Sequence, residues 1–150
     1  MSLVIVLDTG PLGMLTHAKA NVQNEAAVRW LARHLAVGTE VAVPEICDYE
    51  LRRKLLHKDF SRSVEALDEL EGALVYLSLT TAVMRRAAKL WAQMRREGRP
   101  TAPPEALDGD VILCALALEH SERTKNEVVV ATTNVDHLDR MVAAKRWEDL

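Results

Sequence analysis

Aromatic side chains are scarce here, 4 % of 150 residues, so a core must rest on Leu, Val, Ile, Ala and Met. Cysteine is scarcer still. Cys47 and Cys114 lie far apart in apolar surroundings, with no CxxC partner and no His at ligand spacing. This excludes a disulfide scaffold and reads both as reduced, buried, small hydrophobes of a cytoplasmic protein. No apolar run approaches the roughly 20 residues that span a bilayer, which excludes a membrane role. The opening MSLVIVLD has no basic segment and meets an acid at Asp8, so it does not read as a signal peptide. His17, His34, His57, His120 and His137 are isolated from one another. No Ser–His–Asp or Cys–His arrangement and no Gly-rich phosphate loop can be found. Internal repeats and low-complexity tracts are missing too. Nor is there an excess of basic charge. The net charge of −3 lends nucleic-acid binding no support by itself, yet an acidic metal site would lower the total without excluding basic contacts elsewhere.

What is present fits one compact domain over 1–150. Leu3 to Leu7 is an unbroken apolar run ending at Asp8, the mark of a strand buried on both faces of a parallel sheet. Helical spacing follows over Asn24 to Ala36, with Ala27, Val28, Leu31 and Leu35 on one face and Gly38 as a stop. Glu40 to Val43 reads as a strand, Glu45 to about Lys58 and Ser61 to Glu71 as helices, and Leu74 to Leu79 as a third strand. Thr80 or Thr81 can cap a long helix with the stripe Met84, Ala87, Trp91 and Met94, stopped by Gly98 and Pro100. Leu107 to Glu119 is a buried helix and Glu127 to Ala131 a fourth strand. A short helix near Asp136 to Ala143 and an edge strand within Arg146 to Leu150 complete the chain. This alternation predicts a three-layer α/β/α domain around a mostly parallel sheet of four or five strands. Ligands in such folds sit beyond the carboxyl ends of the strands, which points to Asp8 and to Thr132, Thr133 and Asn134.

Carboxylates gather at these ends. Asp8 closes an apolar strand, where a charge is costly unless paired or metal-bound; capping the turn through Thr9, Gly10 and Pro11 is the plainer alternative. Glu50 lies beside Ile46 on its helix and can point inward, or pair with Lys54 at i,i+4. Asp108 and Asp110 open the apolar helix. The helix dipole explains one of them better than two, and Gly109 between them permits close backbone approach. Asn134 and Asp136 follow the fourth strand, where both are also ordinary loop residues. Oxygen ligands without zinc-type partners favour Mg²⁺ or Mn²⁺, and such ions can promote phosphodiester cleavage.

Four segments, in order, resemble the PIN-domain family, which includes VapC-like toxins. They are VLDTGPLG, VPEICDYELRR, LDGDVILCALAL and VVVATTNVDHL. The resemblance spans nearly the whole chain and implies a PIN-like fold. It also implies an endoribonuclease whose nucleophile is a metal-activated water, leaving phosphate on the 5′ end of one product. Asp8, Glu50 and Asp110 match the three acids that hold metal in the family. Asp108 matches an additional acid of some members. Asn134 stands where many members have Asp, with Asp136 as an alternative contributor, which leaves one ion or two open. A phosphoacceptor receiver domain would want paired acids after the first strand and a late Lys. A haloacid-dehalogenase-type phosphatase would want a second Asp at position 10, which is Gly. A non-catalytic PIN-fold binding or interaction module is the rival from another class.

These residues are expected to converge on one pocket, with Asp108 and Asn134 at its rim. RNA is expected to approach over Arg52, Arg53 and Lys54, with Arg85, Arg86, Arg95, Arg96 and Arg99 as a second group that reads equally as a solvated face. The resemblance further implies a cognate antitoxin and a homodimer, for which Met84, Trp91 and Met94 offer a surface.

Overall fold

The computed structural model describes residues 2–98 and 104–150. Arg99 and the helix stop at Pro100 lie outside them. Strands β1 (Leu3–Leu7), β2 (Glu40–Pro44), β3 (Val75–Leu77), β4 (Glu127–Thr132) and β5 (Ala144–Arg146) form one sheet in the order β3-β2-β1-β4-β5. Every pairing is parallel. Helices α1 (Thr9–Thr16), α2 (Val22–Ala36), α3 (Glu45–His57), α4 (Ser61–Ala73), α5 (Thr81–Glu97), α6 (Pro104–Thr124) and α7 (Val135–Leu138) make the outer layers of a three-layer α/β/α arrangement.

From β1 the chain steps outward to β2 and β3, then crosses to the other side of β1 for β4 and β5. The strand order therefore reverses between β1 and β4, and the crevice beyond their carboxyl ends is where such a sheet takes a ligand. Val4 to Leu7 in β1 are fully buried, as are Val130 and Ala131 in β4. The β-branched run suits a pleated surface covered on both sides. From α6, Leu113 to Ala117 pack into the same core.

Several local expectations change. Thr9, Gly10 and Pro11, offered as a turn, open helix α1. Pro11 sits in its first turn, where a missing N–H costs nothing. Helix α2 starts earlier, because the Asn21 side chain accepts from Asn24 N–H at 2.8 Å and caps it. Its buried face holds Ala27, Trp30 and Leu31, leaving Val28 and Leu35 exposed. Trp30 sets that face by packing edge-on against Trp147, with ring centroids 5.8 Å apart. On α5 the buried stripe is Val83, Ala87 and Met94, while Met84 and Trp91 stay largely exposed beside α6. Thr80 caps that helix and Gly98 ends it at φ 64°, a conformation that favours glycine. Helix α7 is shorter than expected. The edge strand lies at Ala144–Arg146 rather than after it, because Trp147 turns into the core within a 3-10 turn.

Candidate active site

Asp8 leaves β1 at the crevice and starts α1. Its Oδ1 accepts from Thr9 N–H at 2.7 Å, and its Oδ2 accepts from the Thr132 hydroxyl at 2.7 Å. Thr132 is fully buried at the end of β4. Its Oγ1 also accepts from Asn134 N–H at 2.9 Å, which directs its own proton toward Asp8. Both Asp8 oxygens are thus fixed, each with acceptor capacity left over. Gly10 brings the next strand end close: a Cβ there would lie 3.0 Å from Thr133 Oγ1.

Glu50 reaches this centre from α3. Its Oε1 accepts from the Thr9 hydroxyl at 3.0 Å, so Thr9 ties both acids together. On its other side stands Gly109 of α6, where a Cβ would come within 2.6 Å of Glu50 Oε2. Any side chain at that position would push the carboxylate away.

Asp110 completes the group from the front of α6. Its Oδ2 is buried and has no hydrogen-bond partner. The nearest basic group is His137 of α7, whose Nδ1 is 3.8 Å away, beyond hydrogen-bond reach. Burial first, then the charges of Asp8 and Glu50, push the Asp110 carboxyl up to about 7. Beneath it the Cys114 thiol is raised by burial and by Asp110 and Asp8. Cys47 is fully buried with its Sγ 3.9 Å from Asp8 Oδ1, and burial and Asp8 raise its thiol as well. Both cysteines are free, and neither thiol is a ready nucleophile in these surroundings.

Other expected residues scatter. Asp108 is exposed and lines a hollow of about 390 Å³ between α5 and α6, with Met84 and Trp91. Asn134 contributes its backbone N–H to Thr132, and it and Asp136 are exposed. Arg52 turns away from the acids of the site into ion pairs with Asp48, Asp68 and Glu71 at 2.8–2.9 Å. Its guanidinium is therefore already engaged. Arg53 and Lys54 are exposed. Arg86 pairs with Glu119 and Glu122, and Arg95 lies over the Trp91 ring. The sequence points to Thr132 by its strand-end place but does not mark Thr9, Cys47 or His137 as site groups.

Among the described residues, no group of three or more His, Cys, Asp or Glu side chains is gathered closely enough to form a ready metal cage. Mg²⁺ does not need one. It keeps several waters and takes one or two carboxylates. The donors are all hard oxygens, and Asp110 Oδ2 is an orphaned buried acceptor in a field of negative charge. The oxygen donors of Asp8, Glu50 and Asp110 are of the hard kind that Mg²⁺ or Mn²⁺ takes.

A family model described as PIN domain matches residues 5–144. No curated protein matches the chain. Among solved structures, the fold is similar to VapBC2 from Rickettsia felis bound to a DNA fragment from the promoter, with a TM-score of 0.71, 14 % identity, and coverage of 96 % of this chain and 98 % of that one. It is similar also to VapBC-1 from nontypeable Haemophilus influenzae, with a TM-score of 0.69, 16 % identity, and coverage of 97 % and 98 %. At such identities the likeness is one of fold.

Proposed function

The chain belongs to the PIN-domain family, and from that premise we propose that it is a metal-dependent endoribonuclease, the toxin of a toxin–antitoxin pair. PIN domains are in general nucleases. The observation that carries the finer reading is Asp110. A carboxylate buried without a hydrogen-bond donor, and driven upward by two neighbouring acids, makes sense where positive charge is to be received.

Each residue has a task in that reading. Thr9 and Thr132 hold the Asp8 carboxylate in one orientation, and Thr9 does the same for Glu50. Gly109 leaves room for Glu50. The Asp110 carboxyl, pushed up to about 7 by burial and by Asp8 and Glu50, would give up its proton to a cation at that site. Bound Mg²⁺ or Mn²⁺ would lower the pKa of an attacking water and stabilise charge on the leaving oxygen. Asp108, Asn134 and Asp136 remain outer contributors to such a site. The similarity to VapBC assemblies supports a cognate antitoxin as partner. Exposed Met84 and Trp91 support a homodimer, and a monomer by light scattering at micromolar concentration would remove it.

The deciding assay is cleavage of single-stranded RNA with Mg²⁺ or Mn²⁺ against EDTA. Wild type should cut only with metal and leave a 5′ phosphate. Asp8→Asn should lower the rate by more than about 100-fold, the upper end of losses from outer-shell changes at metal sites. Intact RNA under all conditions would favour a binding module. A small neighbouring reading frame whose product blocks cleavage would establish the toxin role.

A further inference from the structure

We propose that the outward face of α3, from Tyr49 to Phe60, is a track that leads single-stranded RNA to the acids; this rests on the nuclease reading above. The inner face of α3 buries Ile46, Cys47 and Leu51. The outer face exposes Tyr49 by 57 %, Leu56 by 58 % and, just past the helix, Phe60 by 48 %. Arg53 and His57 lie between these by helical spacing, Lys54 and Lys58 run along the adjoining stripe that starts at Glu50, and all four are exposed.

Two features set this face apart from an ordinary solvated helix. The first is pairing. Among the described residues, Arg53, Lys54 and Lys58 form no ion pair, whereas Arg52 beside them forms three. Asp59 is the one acid between Leu51 and Phe60. In a chain of net charge −3, that is a local concentration of uncompensated cations. The second is geometry. Arg53 Cζ stands 5.0 Å from the Tyr49 ring centroid and Lys58 Nζ 6.0 Å from that of Phe60. Each aromatic thus carries a cation at its face while staying open to solvent.

That combination suits a single strand. Phosphates meet the cations, and unstacked bases lie on aromatic rings or on the guanidinium plane. A duplex offers no free base faces to stack. The track begins one residue from Glu50 and covers roughly 14 Å of helix at 1.5 Å per residue. At its far end Phe60 lines a hollow of about 440 Å³ with His17, Lys19, Asp59 and Arg62. Three of those residues extend the basic character, and the volume is within the range of small-ligand pockets.

The test is equilibrium binding of a fluorescently labelled uridine oligomer in EDTA, read by anisotropy across a salt series. Tyr49→Ala should weaken binding about tenfold, as loss of one stacked base does, while Tyr49→Phe should stay near wild type. The Lys54→Gln/Lys58→Gln pair should flatten the logarithmic salt slope by about 1.4, at about 0.7 per phosphate contact on a single strand. Arg33→Gln on α2 should leave the slope unchanged. These positions are exposed, so thermal midpoints should match wild type. Wild-type binding by Tyr49→Ala, or an equal loss in Arg33→Gln, overturns the track. So does a lysine pair that loses only a protein partner and keeps RNA. The two readings fail separately. Wild type that binds in this way yet never cuts leaves the track and sinks the nuclease. Wild type that cuts while both α3 variants bind normally does the reverse.

Discussion

Two clusters of carboxylates share helix α3 and differ in one respect. On one side, Asp48, Asp68 and Glu71 surround Arg52, each within 2.9 Å, and the Tyr76 hydroxyl donates to Asp48 at 2.7 Å. On the other, among the described residues, Asp8 and Glu50 are met by threonine hydroxyl and amide donors and the Cys47 thiol, and Asp110 has His137 at 3.8 Å. The guanidinium supplies planar, charge-assisted hydrogen bonds that complete the first cluster. Among the described residues, no cation completes the second. The contrast separates acids neutralised within the fold from acids that the fold leaves without a cation. Even with its cation the first cluster is overfilled: burial and Asp48 push Glu71 up to about 7.

Removing the cation should make the two clusters alike. Arg52→Met leaves three acids facing one another, a loss of about 1–3 kcal/mol after allowing for its partial exposure. At about 2–4 °C per kcal/mol for a chain of this size, the thermal midpoint should fall by roughly 2–12 °C. Mg²⁺ should not restore it. An unchanged midpoint would mean the ion pairs are surface ornament and the contrast is false.

Gly109→Ala tests the other cluster. The added Cβ meets the flexible end of Glu50, 2.6 Å away, so the carboxylate should move and the backbone should not. RNA cleavage should drop by about tenfold, as when a metal site loses its orientation. The midpoint should hold or rise, since alanine is the better helix former by about 1 kcal/mol. A destabilised but fully active variant would put Glu50 outside the site.

A further test lies in pH. Asp110 and Glu71 both titrate near 7 when folded, against ordinary values of 3.8 and 4.5. The folded state therefore holds more protons than the unfolded one between about pH 4 and 7, and stability should fall as pH rises through that window. Metal-free melts from pH 4.5 to 8 should show this decline. Asp110→Asn should flatten part of it and Glu71→Gln another part. Mg²⁺ or Mn²⁺ should raise the wild-type midpoint and remove the Asp110 part alone. A metal response retained in Asp110→Asn would contradict its place in the site.

The sequence carries the sheet well because β1 and β4 are unbroken β-branched runs, and burial on both faces leaves no other pattern open. It also brings Asp8, Glu50 and Asp110 into view, since each stands at the end or on the inner side of an element. It conceals α1, whose two glycines and proline imitate a turn. The Arg52 cluster is hidden as well. Asp48 and Arg52 have the i,i+4 spacing of any surface pair, and only folding adds Asp68, Glu71 and Tyr76 from α4 and β3. Asp108 and Asp110 look equivalent in sequence. The helix turns one outward to solvent and the other toward Asp8 and Glu50, a difference of two residues on a 3.6-residue turn.

The placement of β4 beside β1 has a consequence for how the protein is made. Residues 8 and 50 leave the ribosome early, but Asp110 comes much later, and Thr132, which orients Asp8, is among the last residues of β4. Until β4 has been synthesised and has paired with β1, Asp8 has one of its two fixed hydrogen bonds. Nascent chains fold from the N-terminus as they emerge, so a partly made molecule holds scattered acids and no assembled centre.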